Sequence, residues 1–387
     1  MKNQDLKTRD VLVKAVEKIL PGAEALEKLL KKRKVRFYLG IDPTSPQLHL
    51  GHAVTLRKFR DLQDLGHEGI LLFGTFTAQI GDPSGRKESR KPLSISEIEK
   101  NMEDYKKQAS KILDISNLRI EHNHRWLEKL NFKDLVKIAS CFTVSRLLER
   151  NMFQERLKKG GEVGVQEFLY PLMQGYDSVA LDVDLEIGAS DQLFNMMVGR
   201  KLQRVFNKKE KFVLTVPLLL GLDGRKMSKT YNNAVNLSDT PKDMYGKIMS
   251  LKDNLIIHYF ELCTDVPQKE VKKLKPLKAK ARLAREITAF YHGRKAALLA
   301  EKEFNRVFKE KKLPSNIPAF KAKEEVRNIL DFLTQSRLAP SRSEAKRLVL
   351  QKGVKLDGKI IANWNDDLKI KKGQVLRVGK KKFVKIV

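Results

Sequence analysis

Two short motifs contain residues able to bind and polarise a triphosphate. One is His49-Leu50-Gly51-His52, and the other is Lys226-Met227-Ser228-Lys229-Thr230. When a carboxylate attacks the α-phosphate of ATP, the charge on the departing β,γ-phosphates must be neutralised. Positioned cations and hydrogen-bond donors suffice for this step, without a protein nucleophile. The two motifs together predict an enzyme that activates a carboxylate with ATP.

The segments around these motifs are typical of a parallel sheet. Residues 35–41, 69–76 and 212–220 read as buried strands, and a helix with near-helical apolar spacing begins near Gly51 and stops at Gly66. The first motif and the loop 81–85 both follow the carboxyl end of a strand, where open α/β sheets bind ligands. The pattern predicts an α/β fold with a Rossmann-like, doubly wound parallel sheet.

The remaining pattern divides the chain into three predicted domains. We expect a catalytic domain over 1–236 with a connective helical insertion at about 120–180, an α-helical domain over 237–318 and a small α+β module over 327–387. Residues 133–157 are predicted to be helical, with a broad apolar face that fits either core or a subunit contact. The alternation over 181–187 predicts a half-covered strand.

The composition indicates a polyanionic partner. Lys and Arg number 77 against 47 Asp and Glu, giving a formal net charge of +30. Cys141 and Cys263 are too few and too far apart for a disulfide scaffold or a zinc site, and they fit a reducing cytosol. The start is polar and no apolar run approaches about 20 residues, so we expect a cytoplasmic protein without membrane contact or protein-bound metal.

The segment from Tyr38 to His52 resembles class I aminoacyl-tRNA synthetases, and within them the bacterial-type tyrosyl-tRNA synthetases. The resemblance runs from about residue 30 to the C-terminus. It implies that tyrosine, ATP and Mg²⁺ give tyrosyl-adenylate and pyrophosphate, and that tyrosyl then passes to the 3′ end of tRNA(Tyr). It also implies a homodimer, with Mg²⁺ arriving on ATP, and assigns the helical domain 237–318 to the anticodon arm.

The same resemblance assigns the nucleotide side of the site. Thr44 and His49 contact the departing phosphates, His52 lies by the ATP ribose region, and Lys226 and Lys229 close on the triphosphate. The implied ATP-binding residues are Gly40, Asp42, Gly51, Arg86, Arg90, Gly188, Asp191, Gln192, Met227, Ser228 and Lys229. The sequence departs from the family pattern twice, with Thr at 230 where Ser is more common and Ala189 where a second Gly is usual.

For the amino acid, the resemblance implies that Tyr38 and Asp177 bind the phenolic hydroxyl. Tyr170, Gln174 and Asp82 would hold the ammonium group. The sister tryptophan–tRNA ligase is one alternative, because an aspartate also accepts from an indole N–H. Tyr38, Gln174 and the C-terminal module favour tyrosine.

The C-terminal region resembles the small RNA-binding module named for a ribosomal small-subunit protein. Its expected RNA contacts are Arg342, Lys346, Arg347, Lys380, Lys381 and Lys382. Residues 369–387 hold eight Lys or Arg and no acid, alternating with apolar residues, which indicates one buried and one cationic face. A non-catalytic RNA-binding protein on a synthetase scaffold is the other alternative. Such a protein would have eroded phosphate motifs, and here both are intact.

Overall fold

The computed structural model describes residues 2–83, 93–116, 118–227, 231–310, 312–314, 317–321, 326–365, 367–369, 371–379 and 382–387. The chain divides into two compact units, Met1–Glu301 and Lys302–Val387. The boundary predicted at 236 falls inside the first unit, so a separate helical domain from 237 stays a prediction. In the described ranges, no helix is both long and apolar enough to cross a membrane.

The first unit contains one sheet and most of the helices. Its strands are β1 (Lys18–Leu20), β2 (Arg36–Ile41), β3 (Glu68–Phe73), β4 (Arg119–His122), β5 (Leu185–Ala189) and β6 (Phe212–Val216). Its helices are α1 (Lys2–Val13), α2 (Ala23–Lys32), α3 (Leu50–Asp64), α4 (Thr77–Ile80), α5 (Ile95–Ala109), α6 (His124–Leu127), α7 (Phe132–Ala139), α8 (Val144–Leu148), α9 (Asn151–Lys158), α10 (Val165–Leu181), α11 (Leu193–Phe206), α12 (Pro241–Met249), α13 (Ile256–Cys263), α14 (Gln268–Val271), α15 (Pro276–His292) and α16 (Arg294–Phe304).

The sheet order is β1-β6-β5-β2-β3-β4. The five strands from β6 to β4 are parallel, and β1 pairs antiparallel with β6 at one edge. The predicted doubly wound sheet is therefore confirmed at its centre. Both edge strands were missed because they are short and charged, as edge strands usually are. The strand β4 begins the segment predicted as a helical insertion.

Two predictions about local structure were wrong. Residues 181–187 were expected to form a half-covered strand, but α10 continues to Leu181, and β5 starts at Leu185 with its first four residues buried. A central parallel strand is covered on both faces, so it needs no alternation. The helix expected over 133–157 is three helices. Thr143 starts the second of them, since its hydroxyl accepts from the Arg146 N–H at 3.3 Å.

The second unit is a small α+β module. Its elements are β7 (Ala319–Phe320), β8 (Val326–Asn328), α17 (Ile329–Gln335), α18 (Arg342–Leu350), β9 (Val354–Leu356), β10 (Lys359–Ile360), β11 (Asp367–Lys369), β12 (Val375–Val378) and β13 (Lys382–Ile386). One sheet has the order β10-β9-β12-β13-β7, and β8 pairs with β11. The sequence Val354-Lys355-Leu356 followed by Asp357-Gly358 predicts a tight hairpin, and β9 and β10 confirm it, with Asp357 and Gly358 at φ 46° and 85°. The apolar residues of both helices and of the five-stranded sheet form one core.

Candidate active site

Backbone hydrogen bonds hold the first phosphate motif against the chain near the second motif, of which Lys226 and Met227 are described. The Leu50 N–H donates to Val235 O at 2.9 Å, and the Leu237 N–H donates to Leu48 O at 2.8 Å. The first motif is therefore paired with the chain that follows the second. Gly51 is tightly enclosed, because an added Cβ would lie 3.0 Å from the His49 ring and 3.8 Å from Met227 Sδ.

The two histidines of the first motif face each other at the start of α3. Their ring centroids are 3.9 Å apart, and the His49 N–H donates to His52 Nδ1 at 3.2 Å. This contact caps the helix and holds both rings at its N-terminus, where the helix dipole favours a phosphate. Beside them, the Thr44 N–H donates to Asp42 O at 2.7 Å and turns the backbone after β2.

Lys226 lies on a tight turn after β6. Gly224 has φ 86°, a left-handed conformation that favours glycine, and Asn233 Nδ2 donates to both Asp223 Oδ1 at 2.8 Å and Lys226 O at 3.1 Å. The Lys226 ammonium donates to Asp191 Oδ2 at 2.8 Å. The ribose acceptor and a phosphate cation predicted from separate motifs are thus in direct contact.

Gln192 and Asp82 belong to one hydrogen-bonded chain. Gln192 Nε2 donates to Asp82 Oδ2 at 2.8 Å, and Asn195 Nδ2 donates to Gln174 Oε1 at 2.8 Å and to Gln192 Oε1 at 3.0 Å. These hydrogen bonds link Gln192, which is expected at the α-phosphate, to Asp82 and Gln174, which are expected at the substrate ammonium group. Sequence reasoning missed Asn195, although it lies one helical turn beyond Gln192. At Gly188, an added Cβ would lie 2.8 Å from Met196 Sδ.

Asp42 is held by two hydroxyl groups. Its Oδ2 accepts from Tyr170 Oη at 2.8 Å, and its Oδ1 accepts from Thr77 Oγ1 at 2.7 Å. A Cβ at Gly74 would lie 1.9 Å from Asp42 Oδ1, so only glycine leaves room for this carboxylate. Burial, followed by the charges of Asp42 and Asp82, raises the pKa of Tyr170, which stays a donor. Thr77 and Gly74 were missed because the sequence places them on no recognisable motif.

Asp177 is a buried carboxylate with fixed donors. Its Oδ1 accepts from Trp126 Nε1 at 2.8 Å, and its Oδ2 accepts from Asn123 Nδ2 at 3.3 Å. Burial raises the pKa of Asp177 well above its ordinary value, while the hydrogen bonds from Trp126 and Asn123 oppose that rise. Trp126 and Asn123 come from the segment around α6, and sequence reasoning missed both because side-chain contacts at that distance leave no local pattern.

Tyr38 lies in β2 and is fully buried. Its hydroxyl forms a hydrogen bond with Ser178 Oγ at 2.9 Å. Burial first, and then the charges of Glu186 and Asp177, raise the pKa of Tyr38, so the phenol keeps its proton. Tyr38 packs with Ile70, Leu72, Leu181, Val183 and Trp126. The expected pair for the substrate phenol therefore consists of a neutral hydroxyl and a carboxylate held by donors.

Several predicted site residues are outside the described residues. They are Arg86 and Arg90 of the 84–92 segment, Ser228 and Lys229 of the second motif, and Lys380 and Lys381 of the module. Gly40 is described and exposed at the end of β2. In the described part of the chain, no cluster of three or more His, Cys, Asp or Glu could hold a metal ion.

The basic residues of the module contact other side chains on its surface. Lys346 Nζ lies 3.8 Å from the centroid of the Trp364 ring, and Arg347 pairs with Glu344 at 2.7 Å. Arg342 pairs with Asp331, and Lys382 Nζ donates to Leu338 O at 3.0 Å. The two arginine side chains are still more than half exposed, which leaves them accessible to phosphates.

Comparison with known proteins places this site in a family. Residues 30–309 match the model described as tRNA synthetases class I (W and Y), and residues 327–373 match the S4 domain. Tyrosine–tRNA ligase of Thermotoga maritima is 44% identical over 97% of this chain and 96% of its own length. Tyrosine–tRNA ligase 2 of Clostridium acetobutylicum is 43% identical over 100% of both chains. The chain belongs to the tyrosine–tRNA ligases.

Solved tyrosyl-tRNA synthetases share its fold. The crystal structure of the Archaeoglobus fulgidus enzyme complexed with L-tyrosine matches with a TM-score of 0.62 at 23% identity, covering 77% of this chain and 99% of that one. The predicted family, the α/β class and the C-terminal RNA-binding module are confirmed. The relatives compared are tyrosine–tRNA ligases, so the tryptophan and non-catalytic alternatives are not favoured. The role of each site residue stays a prediction.

Proposed function

We propose that this chain activates L-tyrosine with ATP and then transfers it to tRNA(Tyr). In the first step a tyrosine carboxylate oxygen bonds to the α-phosphorus, the bond to the β-phosphate oxygen breaks, and pyrophosphate leaves. In the second step a ribose hydroxyl of the terminal adenosine attacks the tyrosyl carbonyl and AMP leaves. The observation that supports this most directly is the backbone pairing of Leu48 and Leu50 with residues 235–237, which joins the first motif to the chain that follows the second.

Tyrosine enters with its phenol between Tyr38 and Asp177. The Asp177 carboxylate accepts a hydrogen bond from the phenolic O–H, and the Tyr38 hydroxyl donates one to the phenolic oxygen. Both hydrogen-bonding capacities of the substrate hydroxyl are then met. Tyr170, Gln174 and Asp82 hold the ammonium group at the other end. Tyr170 is hydrogen-bonded to Asp42, and Asp82 to Gln192, so the ammonium side is connected to the nucleotide side. This connection would hold the carboxylate of the substrate tyrosine near the α-phosphate.

ATP enters as its Mg²⁺ complex, and the metal arrives as part of the substrate. Asp191 accepts from ribose hydroxyls, Gln192 donates toward the α-phosphate, and Gly40, Gly51 and Gly188 let the nucleotide approach the backbone. Thr44, His49, Lys226 and Lys229 stabilise charge on the departing pyrophosphate, with His52 at the ribose region and Arg86 and Arg90 on the phosphate side. These contacts strengthen as the phosphates leave, so they accelerate the chemical step.

The tRNA is held by positive charge outside the chemical site. The formal net charge of +30 favours a polyanion, and the module carries exposed Arg342 and Arg347 with Lys346 and 380–382. We assign the helical region 237–318 to the anticodon arm. Two free cysteines and a tRNA substrate fit work in the cytoplasm.

We propose a homodimer, and an exposed apolar surface on α7 and α8 supports it. Phe132, Val136 and Val144 expose 81%, 52% and 69% of their surface, which is unusual for large apolar side chains so close together in sequence. Phe132 and Val136 lie one helical turn apart and share a face. A second copy of this chain would cover this surface.

Pyrophosphate exchange tests the activation step. The full chain with ATP and Mg²⁺ should incorporate labelled pyrophosphate into ATP with tyrosine and not with tryptophan. Charging should follow when tRNA(Tyr) is added. Exchange with tryptophan alone would favour the sister enzyme. Binding of tRNA with no exchange for either amino acid would mean a non-catalytic protein.

A further inference from the structure

Four polar side chains meet in the core next to the proposed phenol pocket. Tyr38, Ser178 and Lys211 are fully buried, and Glu186 is 3% exposed. Two of the four carry charge. A buried ion pair is often no more stabilising than well-packed apolar residues of the same volume, so this pair points to a role beyond stability.

The sheet and two helices set the geometry. Tyr38 and Glu186 are direct partners on β2 and β5, Ser178 lies on α10, and Lys211 directly precedes β6. Lys211 Nζ donates to Ser178 Oγ at 2.7 Å and pairs with Glu186. Ser178 Oγ lies 2.9 Å from Tyr38 Oη.

A glycine on α11 leaves room for this contact. A Cβ at Gly199 would lie 2.6 Å from Ser178 Oγ and 2.7 Å from Lys211 Nζ, and α11 packs along α10. Any side chain at 199 would push the serine or the ammonium away. The cluster is therefore built from four elements rather than being a chance pairing of two side chains.

The donors and acceptors give this chain of contacts a direction. An ammonium only donates, so Ser178 Oγ accepts from Lys211 and keeps its single proton for the next contact. That contact is Tyr38 Oη, 2.9 Å away, and when Ser178 donates across it Tyr38 keeps its own proton. Glu186 is the competing acceptor for the Tyr38 proton, and its charge is already paired with Lys211. In this arrangement the Tyr38 proton is directed to the pocket.

We propose that Lys211, acting through Ser178 and restrained by Glu186, orients the Tyr38 hydroxyl as a donor toward the substrate phenol. Lys211 and Ser178 are positioning residues that sharpen selection of tyrosine over phenylalanine. Phenylalanine offers no acceptor, so it leaves the aligned Tyr38 proton unsatisfied. The inference rests on the proposed placement of the phenol between Tyr38 and Asp177.

We call the contacts from Lys211 through Ser178 to Tyr38 the relay. A double-mutant cycle on the full chain tests it. The measurement is kcat/KM for tyrosine and for phenylalanine in pyrophosphate exchange, for Ser178→Ala, Tyr38→Phe and the combination. Each single change should lower the tyrosine-to-phenylalanine ratio about two- to tenfold, the worth of one neutral hydrogen bond. The combination should be no worse than Tyr38→Phe alone, because Ser178 acts through Tyr38. The KM for ATP should not move.

Lys211 is tested without leaving a buried carboxylate alone. The paired change Lys211→Met with Glu186→Gln removes both charges. It should lower the tyrosine-to-phenylalanine ratio of kcat/KM as much as Ser178→Ala does. Thr264→Val is the matched control, since it removes a buried hydroxyl that donates to the Phe260 carbonyl and accepts from the Val266 N–H, neither of which belongs to the cluster. It should leave the ratio unchanged.

The outcomes separate the relay from the pocket. An unchanged ratio in Tyr38→Phe would overturn the pocket assignment and the relay with it. A lowered ratio in Tyr38→Phe, with no change in Ser178→Ala or with losses that add in the combination, would overturn the relay and leave the proposed function standing.

Discussion

The ammonium of Lys226 lies 2.8 Å from the Asp191 carboxylate, although the two residues come from loops that follow different strands of the sheet. The side chains are 50% and 23% exposed, so this ion pair contributes little to stability. Lys226 is expected to bind the phosphates of ATP, and Asp191 is expected to accept from the ribose hydroxyls. The two are paired with each other here, so ATP must break this ion pair when it binds.

Lys226→Met should slow adenylate formation about 10- to 150-fold, the worth of a charge-assisted hydrogen bond made in the transition state. The dissociation constant for tyrosine should stay within about twofold, and Asp191 becomes free to meet the ribose. Rapid-mixing measurement of adenylate formation separates the rate from the affinity. Arg225→Gln is the control, because Arg225 pairs with Asp223 on the same turn. A weaker tyrosine affinity at an unchanged rate would contradict the assignment.

Removing a donor from Asp177 should shift the pH profile of tyrosine activation. The Asp177 carboxylate must be ionised to accept a hydrogen bond from the substrate phenol. Tyrosine activation therefore falls as pH drops through the pKa of Asp177. The hydrogen bond from Trp126 opposes the rise in the pKa of Asp177 caused by burial, so Trp126→Phe should move the acid limb of kcat/KM to higher pH. Trp364→Phe, in the second unit, should leave the limb in place. An unmoved limb in Trp126→Phe would argue against Asp177 as the acceptor.

Asp184 should stabilise the fold at neutral pH and lose that effect in acid. Burial raises the pKa of Asp184, but hydrogen bonds from the Arg33 guanidinium, the Arg36 N–H and Lys209 outweigh it and lower the pKa from 3.8 to about 2. The stabilisation is therefore complete above pH 4 to 5 and disappears as pH falls toward about 2.

The variant Asp184→Asn should lower the free energy of unfolding by about 1–2 kcal/mol at pH 7, after allowance for the half-exposed Arg33. Urea titrations between pH 3 and pH 7 should show the difference from the unmodified chain shrinking toward the acid end. Asp64→Asn is the control, since Asp64 forms an exposed pair with Arg60. A constant difference across the range would contradict the assigned pKa.

Charge on the exposed apolar surface should separate the proposed dimer. Phe132→Lys with Val136→Lys places two cations on one face of α7, where each would be desolvated on association. Sedimentation velocity should show the unmodified chain as a dimer and the variant as a monomer with native circular dichroism. Leu298→Lys changes a residue of α16 that is 52% exposed and should leave the dimer intact. A monomeric unmodified chain would contradict the proposal.

Neutralising the helix α18 cations should weaken tRNA binding and flatten its salt dependence. Arg342→Gln with Arg347→Gln removes two exposed charges, and each lost phosphate contact lowers the log–log slope by about 0.7–0.9. Tyrosine-dependent pyrophosphate exchange should not change, because the predicted activation residues all lie in the first unit. Affinity for tRNA at two salt concentrations provides the measurement. Equal slopes for both chains would remove this helix from the tRNA contact.

Local patterns in the sequence predicted the central strands, the helix after the first motif and the hairpin at 357–358, because hydrophobic periodicity and turn residues act over a few positions. Local patterns gave wrong predictions where tertiary surroundings determine where an element starts or ends. The start of β5 was misread because both faces of a central strand are covered, and the break in the helix at 133–157 depends on the Thr143 cap.

By itself, the sequence determined the chemistry and the family, because phosphate motifs and their glycines are short and depend on residue type. Only the tertiary structure decided which side chains support them. The donors from Asn123 and Trp126 to Asp177 come from α6 and the residue before it, more than 50 positions away, and the relay from Lys211 through Ser178 to Tyr38 joins the residue before β6 to α10 and β2. Such contacts arise from packing across the sheet, where residues distant in the chain become neighbours.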